Sequence, residues 1–493
     1  AIAINGRDTA HSTTSQRVQE HKLFAHRQRE HSSSMASTAV LLALCALNAS
    51  ALAPVKAPAS TQPKNNILSV PERIAQKRQE LGDRLPFTTE QLDIEEDTTN
   101  IGSLEVPSVA LGTISWTPEK SDQGFRPGDR MDGKIGTEEA QAAVATAALE
   151  EGLTFFDTAE RYSVGVGETL LADALADGAE YITREMETDL SVGEAFLADT
   201  LAAGEEWFMS AKQDTVVATK FTPTPWRRGA QSVVDACEAS RKRLGVEQID
   251  LYQIHMPDVV QPGRFFGYVE NKDEQYWEGL ARCKELGLVK EIGVSNYGPT
   301  LLRRCSKFMA SRGLKLASNQ IHYSLLARNK GNNQATVDAA NELGIKTLAY
   351  YPLAMGLLTD QGDKREGALE HYAKGGTGFI GFPFLEKNQV KVPQGGVAPL
   401  LDVLRAVGAE RQKTVTQVAL NWIMGSGVIP IAGATTEKYV RDAAGARGWR
   451  LTGEERRRLE DAADALGFEF QGTFAKRVDG KFVGYGVEEW RLD

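Results

Sequence analysis

Asp157, Lys220 and His255 each close a short apolar or β-branched run, in T-F-F-D, V-V-A-T-K and Y-Q-I-H, and Tyr162 follows shortly after Asp157 in D-T-A-E-R-Y. Runs of this kind read as buried strands, so the four polar groups stand at strand ends or in the loop just beyond. A carboxylate, a phenol, an ammonium and an imidazole brought together suit the reduction of a carbonyl group. Hydride arriving at the carbonyl carbon leaves an alkoxide that needs a proton. Tyr162 can give it, although a free phenol keeps its proton up to a pKa of about 10. A neighbouring ammonium, Lys220, is expected to favour the phenolate and lower that value. Asp157 would pair with Lys220 and hold it charged and in place, and His255 would hydrogen-bond the carbonyl oxygen and orient it. Each residue alone has a plainer role, such as a polar turn after an edge strand, a satisfied core histidine or a snorkelling surface lysine. It is their joint placement that makes the chemistry.

The elements that must position them form a regular alternation. Segments 101–106 and 107–112 read as a hairpin feeding a first strand. Strand patterns follow over 154–157, 215–221, 249–255, 289–294, 316–322, 345–351 and 428–431. Helical patterns fall between and after them, over 137–150, 168–176, 230–244, 274–286, 300–312, 332–343, 399–407, 415–424, 437–445 and 454–466. Thr137 is a cap candidate, and Gly245, Gly287 and Gly344 stand where helices should stop. About eight strands alternating with helices imply parallel strands joined by crossovers, and the closed solution is a (β/α)8 TIM barrel. In that fold function sits at the C-terminal ends of strands, where all four residues are expected. No strand is followed by G-x-G-x-x-G opening a helix; Gly165-Val166-Gly167 lacks the third glycine, which argues against a doubly wound dinucleotide domain.

The chain of 493 residues, 42% hydrophobic and 25% charged, is ordinary for a globular protein with a large core. A net charge of -10 and a pI near 5.5 argue against a nucleic-acid or anionic-membrane surface as the main role. Cys45, Cys237, Cys283 and Cys305 match no zinc spacing and no disulfide framework, and no metal is expected. Residues 1–34 are polar, His-rich and aperiodic, and read as an upstream extension ahead of a start at Met35. The run V-L-L-A-L-C-A-L at 40–47 is too short to span a bilayer and ends in Ala49-Ser50-Ala51, as a secretory leader does. The acid-poor, Pro- and Ser-rich stretch after it reads as a transit segment, so 35–65 resembles the bipartite leader of algae with secondary plastids. Plastid placement is the expectation, and secretion the alternative. A linker over 66–100, with a short charged helix over 67–81, leads into a barrel over 101–470 and a tail over 471–493 that is expected to fold over the rim.

These residues match a known pattern. F-D-T-A-E-R-Y, the lysine in A-T-K-F, D-L-Y-Q-I-H, G-V-S-N-Y at 293–297 and S-N-Q at 318–320 occur in order, with T-P-W-R-R and P-I-A-G-A-T beside them. From Leu104 to Leu466 the chain resembles the aldo-keto reductases, most closely their plastid and potassium-channel β-subunit-like branches. The resemblance implies a nicotinamide cofactor extended across the C-terminal rim. Ser295, Asn296 and Gln320 would hydrogen-bond its carboxamide, and Tyr350 would stack on its ring. Gly112 and Thr113 would line the first strand's end, and Leu353 and Gly356 would contact the pyrophosphate. Gly433, Thr435, Tyr439 and Asp442 would surround the adenosine. One departure matters: Gly433 and Tyr439 occupy the usual basic positions and Ala443 the carboxamide position, leaving Lys438 or Arg441 to meet a 2′-phosphate. NADPH is the expected cofactor, with NADH the alternative, and a small carbonyl compound the expected substrate. A cofactor-bound regulatory or sensor subunit with little turnover is the second functional reading.

Insertions refine the picture. Segment 178–212, rich in acids from Glu180 to Glu206, connects a helix to a strand and so belongs at the bottom of the barrel as a solvated contact surface. Segments 116–136, 256–273 and 354–398 are strand-to-helix connections and belong on the active rim. Trp116, Trp226, Phe265 and Phe266 are candidate pocket walls. Arg227 and Arg228 hint at an anionic substrate, although a solvated pair is the plainer reading.

Overall fold

The computed structural model describes residues 97–117, 135–187, 214–258, 272–329, 333–364, 369, 395–467, 474–478 and 481–485. The expectations for 1–34, 35–65 and 67–81, for Phe265 and Phe266, and for most of the three rim loops lie outside these residues.

The described chain opens with an antiparallel hairpin, β1 (Thr98–Ile101) against β2 (Leu104–Pro107). Expected over 101–106 and 107–112, the hairpin instead turns at Gly102 and Ser103. Gly102 takes φ 61°, which glycine adopts without steric cost. Pro107, with no N–H to give a central ladder, ends a strand rather than beginning one.

Eight strands then close into a barrel: β3 (Ala110–Gly112), β4 (Phe155–Asp157), β5 (Val216–Phe221), β6 (Ile249–Ile254), β7 (Val289–Ser295), β8 (Ser318–His322), β9 (Lys346–Tyr350) and β10 (Ile429–Gly433). All pair in parallel with their neighbours, and β10 joins both β9 and β3 to complete the ring. The helices are α1 (Glu138–Glu150), α2 (Gly167–Glu187), α3 (Gln231–Leu244), α4 (Asp273–Glu285), α5 (Pro299–Ser311), α6 (Asn333–Glu342), α7 (Ala398–Arg411), α8 (Val415–Met424), α9 (Glu437–Ala444) and α10 (Gly453–Ala465). The chain thus forms the expected TIM barrel.

Local chemistry sets these boundaries. The Thr137 side chain accepts from the Ala140 N–H to start α1, and Glu138 and Glu139 sit where the helix dipole favours acids. Gly245 ends α3 in the left-handed region. Capping boxes start α8, from Thr414 to Gln417, and α10, from Thr452 to Glu455. Two helices run past their expected ends, α7 from 407 to Arg411 and α2 further. α2 continues from 176 to Glu187, so the first part of the acidic 178–212 segment is helix; residues 188–212 lie outside those described.

Apolar residues fill two layers between barrel and helices. One gathers around Phe156, Tyr252, Trp277 and Leu302, the other around Leu325, Leu400, Trp422 and Leu459. A third body lies inside the barrel: Ile101, Leu104 and Val106 of the hairpin pack on Phe155, Leu251, Leu348 and Ile429. The hairpin is therefore a plug, each aliphatic side chain contributing about 2 kcal/mol of burial. Ser103 fastens it, with its N–H and hydroxyl both donating to Glu291 Oε1 at 2.8 and 2.7 Å. With one end plugged, the other is left for chemistry. Near the C-terminus β11 (Phe474–Val478) and β12 (Lys481–Tyr485) pair as a second hairpin; the rest of the tail lies outside the described residues.

Candidate active site

The C-terminal rim brings the four expected residues together. Asp157 is the last residue of β4 and Lys220 the last but one of β5, and both side chains are buried. Lys220 Nζ donates to Asp157 Oδ2 at 2.6 Å, to the Thr158 carbonyl at 2.8 Å and to Tyr162 Oη at 3.3 Å. Those partners account for the three donors of an ammonium. Because the phenol oxygen accepts from Lys220, its own proton is free to point elsewhere. Tyr162 opens a short 3-10 turn, Tyr162–Gly165. Gly167 then starts α2 so close that a Cβ there would stand 2.8 Å from Tyr162 Cβ. That glycine lets the helix pack against the phenol's backbone.

His255 follows β6 directly, its N–H donating to the Phe221 carbonyl at 2.7 Å. Its ring meets Tyr162 edge-on, centroids 5.9 Å apart. Nδ1 lies 3.4 Å from the Thr222 hydroxyl. Burial, then the Lys220 and Arg161 charges, hold the imidazole well below its ordinary pKa, so it is neutral at physiological pH.

The phenol behaves otherwise than expected. Burial first, and the Asp157 carboxylate second, push Tyr162 well above its ordinary value, where proximity of Lys220 alone was expected to lower it. Desolvation penalises phenolate more than the ammonium favours it. The same burial lowers the Lys220 pKa, against the upward pull of Asp157. The two shifts run in opposite senses, so the phenol holds its proton more tightly than usual and the ammonium holds its own less tightly.

The residues expected around the carboxamide form one network. The Ser295 hydroxyl and the Asn296 N–H both donate to the Gln320 carbonyl at 2.8 Å. Asn296, held at φ 63°, donates from Nδ2 to the His255 carbonyl at 3.0 Å and accepts from the Tyr350 hydroxyl at 2.9 Å. Tyr350 stacks on His322, 5.4 Å between centroids. The side-chain amide of Gln320 donates from Nε2 to Asp157 Oδ1 at 2.8 Å. Thr113 braces Asp157 from β3: its N–H donates to the Asp157 carbonyl at 3.0 Å, and the Ala434 N–H donates to the Gly112 carbonyl at 3.2 Å.

The loop after β9 is bent, with Tyr351, Ala354 and Met355 at φ 51°, 50° and 57° and Gly356 at 88°. Left-handed non-glycine residues each cost on the order of 1–3 kcal/mol and gather at ligand clamps; Leu353 lies within this bend. Gly433 ends β10 exposed, with nothing within 4 Å of where a Cβ would be. Thr435 is half-buried nearby and Tyr439 is 51% exposed. Asp442 faces another way: its carboxylate accepts from the Thr414 hydroxyl at 2.7 Å and ties α9 to α8. Arg441, although exposed, is likewise engaged, with Glu150 at 2.7 Å and Glu151 at 2.9 Å at the end of α1; Lys438, also exposed, lies in the same segment.

Such a rim fits a nicotinamide cofactor. With Nε2 of Gln320 engaged by Asp157, the amide oxygen remains as an acceptor for a carboxamide N–H. The strained loop and the open Gly433 position supply backbone where a pyrophosphate and nucleoside need close approach. Among the described residues no group of His, Cys, Asp and Glu could hold a metal ion.

Other expectations need correction. Trp116, a candidate pocket wall, is fully buried and its indole N–H donates to the Ala434 carbonyl at 2.7 Å, tying the β3 loop to the β10 loop. Trp226 is 76% exposed. Arg227 is no solvated charge: it pairs with the buried Glu160 through both Nη atoms and lies 4.8 Å over the Phe221 ring. Glu160 also accepts from the Thr222 N–H at 2.6 Å, and so fixes the loop that carries the hydroxyl next to His255. Lys272, buried, donates to the carbonyls of Thr224, Pro225 and Arg227 at 3.2, 3.5 and 3.4 Å. The sequence does place Glu160 inside D-T-A-E-R-Y and Arg227 in T-P-W-R-R, but only the fold puts one against the other.

The family model described as the Aldo/keto reductase family matches residues 109–464, from β3 to α10. Pyridoxal reductase, chloroplastic, of Arabidopsis thaliana is 32% identical over 368 residues, covering 74% of this chain and 85% of that protein. Deoxymugineic acid synthase 1 of Hordeum vulgare is 25% identical over 326 residues, covering 64% and 80%. Among solved structures, the Bombyx mori aldo-keto reductase in complex with NADP aligns at a TM-score of 0.46 and 23% identity, over 73% of this chain and 89% of that one. The match runs through the whole barrel, and by it the chain belongs to the aldo/keto reductase family, oxidoreductases that use NADPH.

Proposed function

We propose that the protein reduces an aldehyde or ketone to the alcohol at the expense of NADPH, with Tyr162 as the proton donor. The observation that carries this reading is the buried chain Asp157–Lys220–Tyr162, joined at 2.6 and 3.3 Å on the C-terminal rim. NADPH, when bound, supplies the hydride. Ser295, Asn296 and Gln320 would hold its carboxamide and Tyr350 its ring. The substrate carbonyl oxygen would sit between Tyr162 Oη and the His255 ring, where neutral imidazole orients it without adding charge. As negative charge develops on that oxygen, Tyr162 gives up its proton. Lys220, already donating to the phenol oxygen, returns one to it, and Asp157 holds Lys220 in place. Burial of Lys220 and Asp157 keeps water from short-circuiting the transfer.

Pyridoxal heads the substrate panel to be assayed, on the strength of the chloroplastic Arabidopsis thaliana relative. The test is NADPH oxidation followed at 340 nm, with pyridoxal and a set of aliphatic and aromatic aldehydes and ketones. Tyr162→Phe is expected to lower kcat by about 10²-fold or more while NADPH still binds. A protein that binds NADPH and oxidises none with any carbonyl on the panel would instead be the cofactor-bound sensor. The leader-like segment and the chloroplastic relative together support placement in the plastid.

A further inference from the structure

We infer that Gln320 is a positioning residue of the proton relay, fixing Asp157, and through it the Lys220 ammonium, from the opposite wall of the barrel. The inference rests on the catalytic reading proposed above. β4 and β8 stand four places apart in either direction around the ring. Yet Gln320 Nε2 reaches Asp157 Oδ1 at 2.8 Å, both side chains buried. At the same level on β3 and β10, Gly112 and Gly433 place no side chain into the space between.

Geometry gives this contact its role. A carboxylate held only at Oδ2 by Lys220 can still turn about its Cβ–Cγ bond. Held at Oδ1 as well, its plane is set, and with it the point from which Lys220 reaches Tyr162. An acceptor-only carboxylate requires that the glutamine present its NH2 group, which fixes the amide's orientation. The glutamine's backbone is in turn held, its main-chain carbonyl accepting from the Asn296 N–H and the Ser295 hydroxyl. A neutral donor is also the right type here. One carboxylate already balances one ammonium, and a second buried cation would add an uncompensated charge. The remaining amide oxygen is the acceptor offered to the cofactor's carboxamide, so one side chain joins cofactor grip to proton delivery.

The experiment is a double-mutant cycle with Gln320→Leu, Asp157→Asn and the pair. It reads kcat at saturating NADPH with 4-nitrobenzaldehyde, the NADPH Kd by fluorescence titration, and Tm of the cofactor-free protein. Gln320→Leu is expected to lower kcat at saturating NADPH about 10- to 100-fold, to raise Kd as well because the carboxamide loses an acceptor, and to add little to the kcat loss in the Asp157→Asn background. Independent, multiplying losses overturn the proposal. So does a large rise in Kd with kcat intact, which would leave Gln320 a cofactor contact and nothing more. Should the wild-type protein reduce no carbonyl, the catalytic reading fails on that result alone. The Tm cycle then decides the coupling: non-additive losses support it and additive losses overturn it.

Discussion

Tyr162 and Lys220 are moved in opposite directions by one cause, their shared burial, and this sets the path of the proton. A phenol pushed upward keeps its proton until an alkoxide forms beside it, and an ammonium pushed downward is ready to replace it. The alkaline loss of kcat should therefore begin below 10.5, the ordinary value for lysine, as Lys220 loses its proton. His255, already neutral, should add no break near its ordinary 6.5. Lys220→Met is expected to lower kcat by about 10²-fold or more and to destabilise the fold by roughly 3–5 kcal/mol, since Asp157 is left buried without its counter-charge. A pH–kcat series with thermal unfolding checks both, and a methionine variant keeping a tenth of kcat would remove Lys220 from the relay. The identities of these residues were legible from their places at the ends of apolar runs. The direction of the Tyr162 shift was not, because desolvation depends on what surrounds a group and not on its own neighbours in the chain. The same limit hid the Gln320–Asp157 contact, which joins strands on opposite sides of a closed ring.

At the scale of elements, the barrel divides its labour between two ends. Apart from the first strand and the ends of α2 and α7, the strands and helices are readable to within a residue or two, because buried parallel strands and capped helices leave strong local marks. The first hairpin lies earlier than its sequence pattern indicates, because Gly102 supplies the turn and Pro107 ends a strand instead of starting one. The role of Trp116 was also missed: an indole in a rim loop reads as a pocket wall until its N–H is seen to hold the neighbouring loop. Gly102 offers a direct test. Its φ is 61° and a Cβ would stand 2.5 Å from Glu291 Cδ, the side chain that fastens the plug. Gly102→Val should lower stability by about 1–3 kcal/mol, or roughly 2–6 °C in Tm. kcat and KM at 25 °C should stay within error, because the plug lies at the end away from the rim. A change in kcat with Tm intact would refute that division.

For the whole molecule, the net charge of -10 and a site built from strand ends on the barrel rim suit a small diffusible substrate. No helix among the described residues is long and apolar enough to cross a membrane. Plastid placement is checked by fusing residues 35–64 to a fluorescent protein in an alga with secondary plastids. Signal in the plastid is expected, and secretion into the medium would overturn it. The way the ring closes sets when the fold can lock. Its seam joins β3, near residue 110, to β10, near residue 430, so the first barrel strand waits for the last. The plug, made earliest, has among its partners Leu348 and Ile429, which leave the ribosome far later. Contacts so distant in sequence form slowly. During synthesis the chain therefore stays unclosed almost to its end, and the barrel locks only once its last strand has been made.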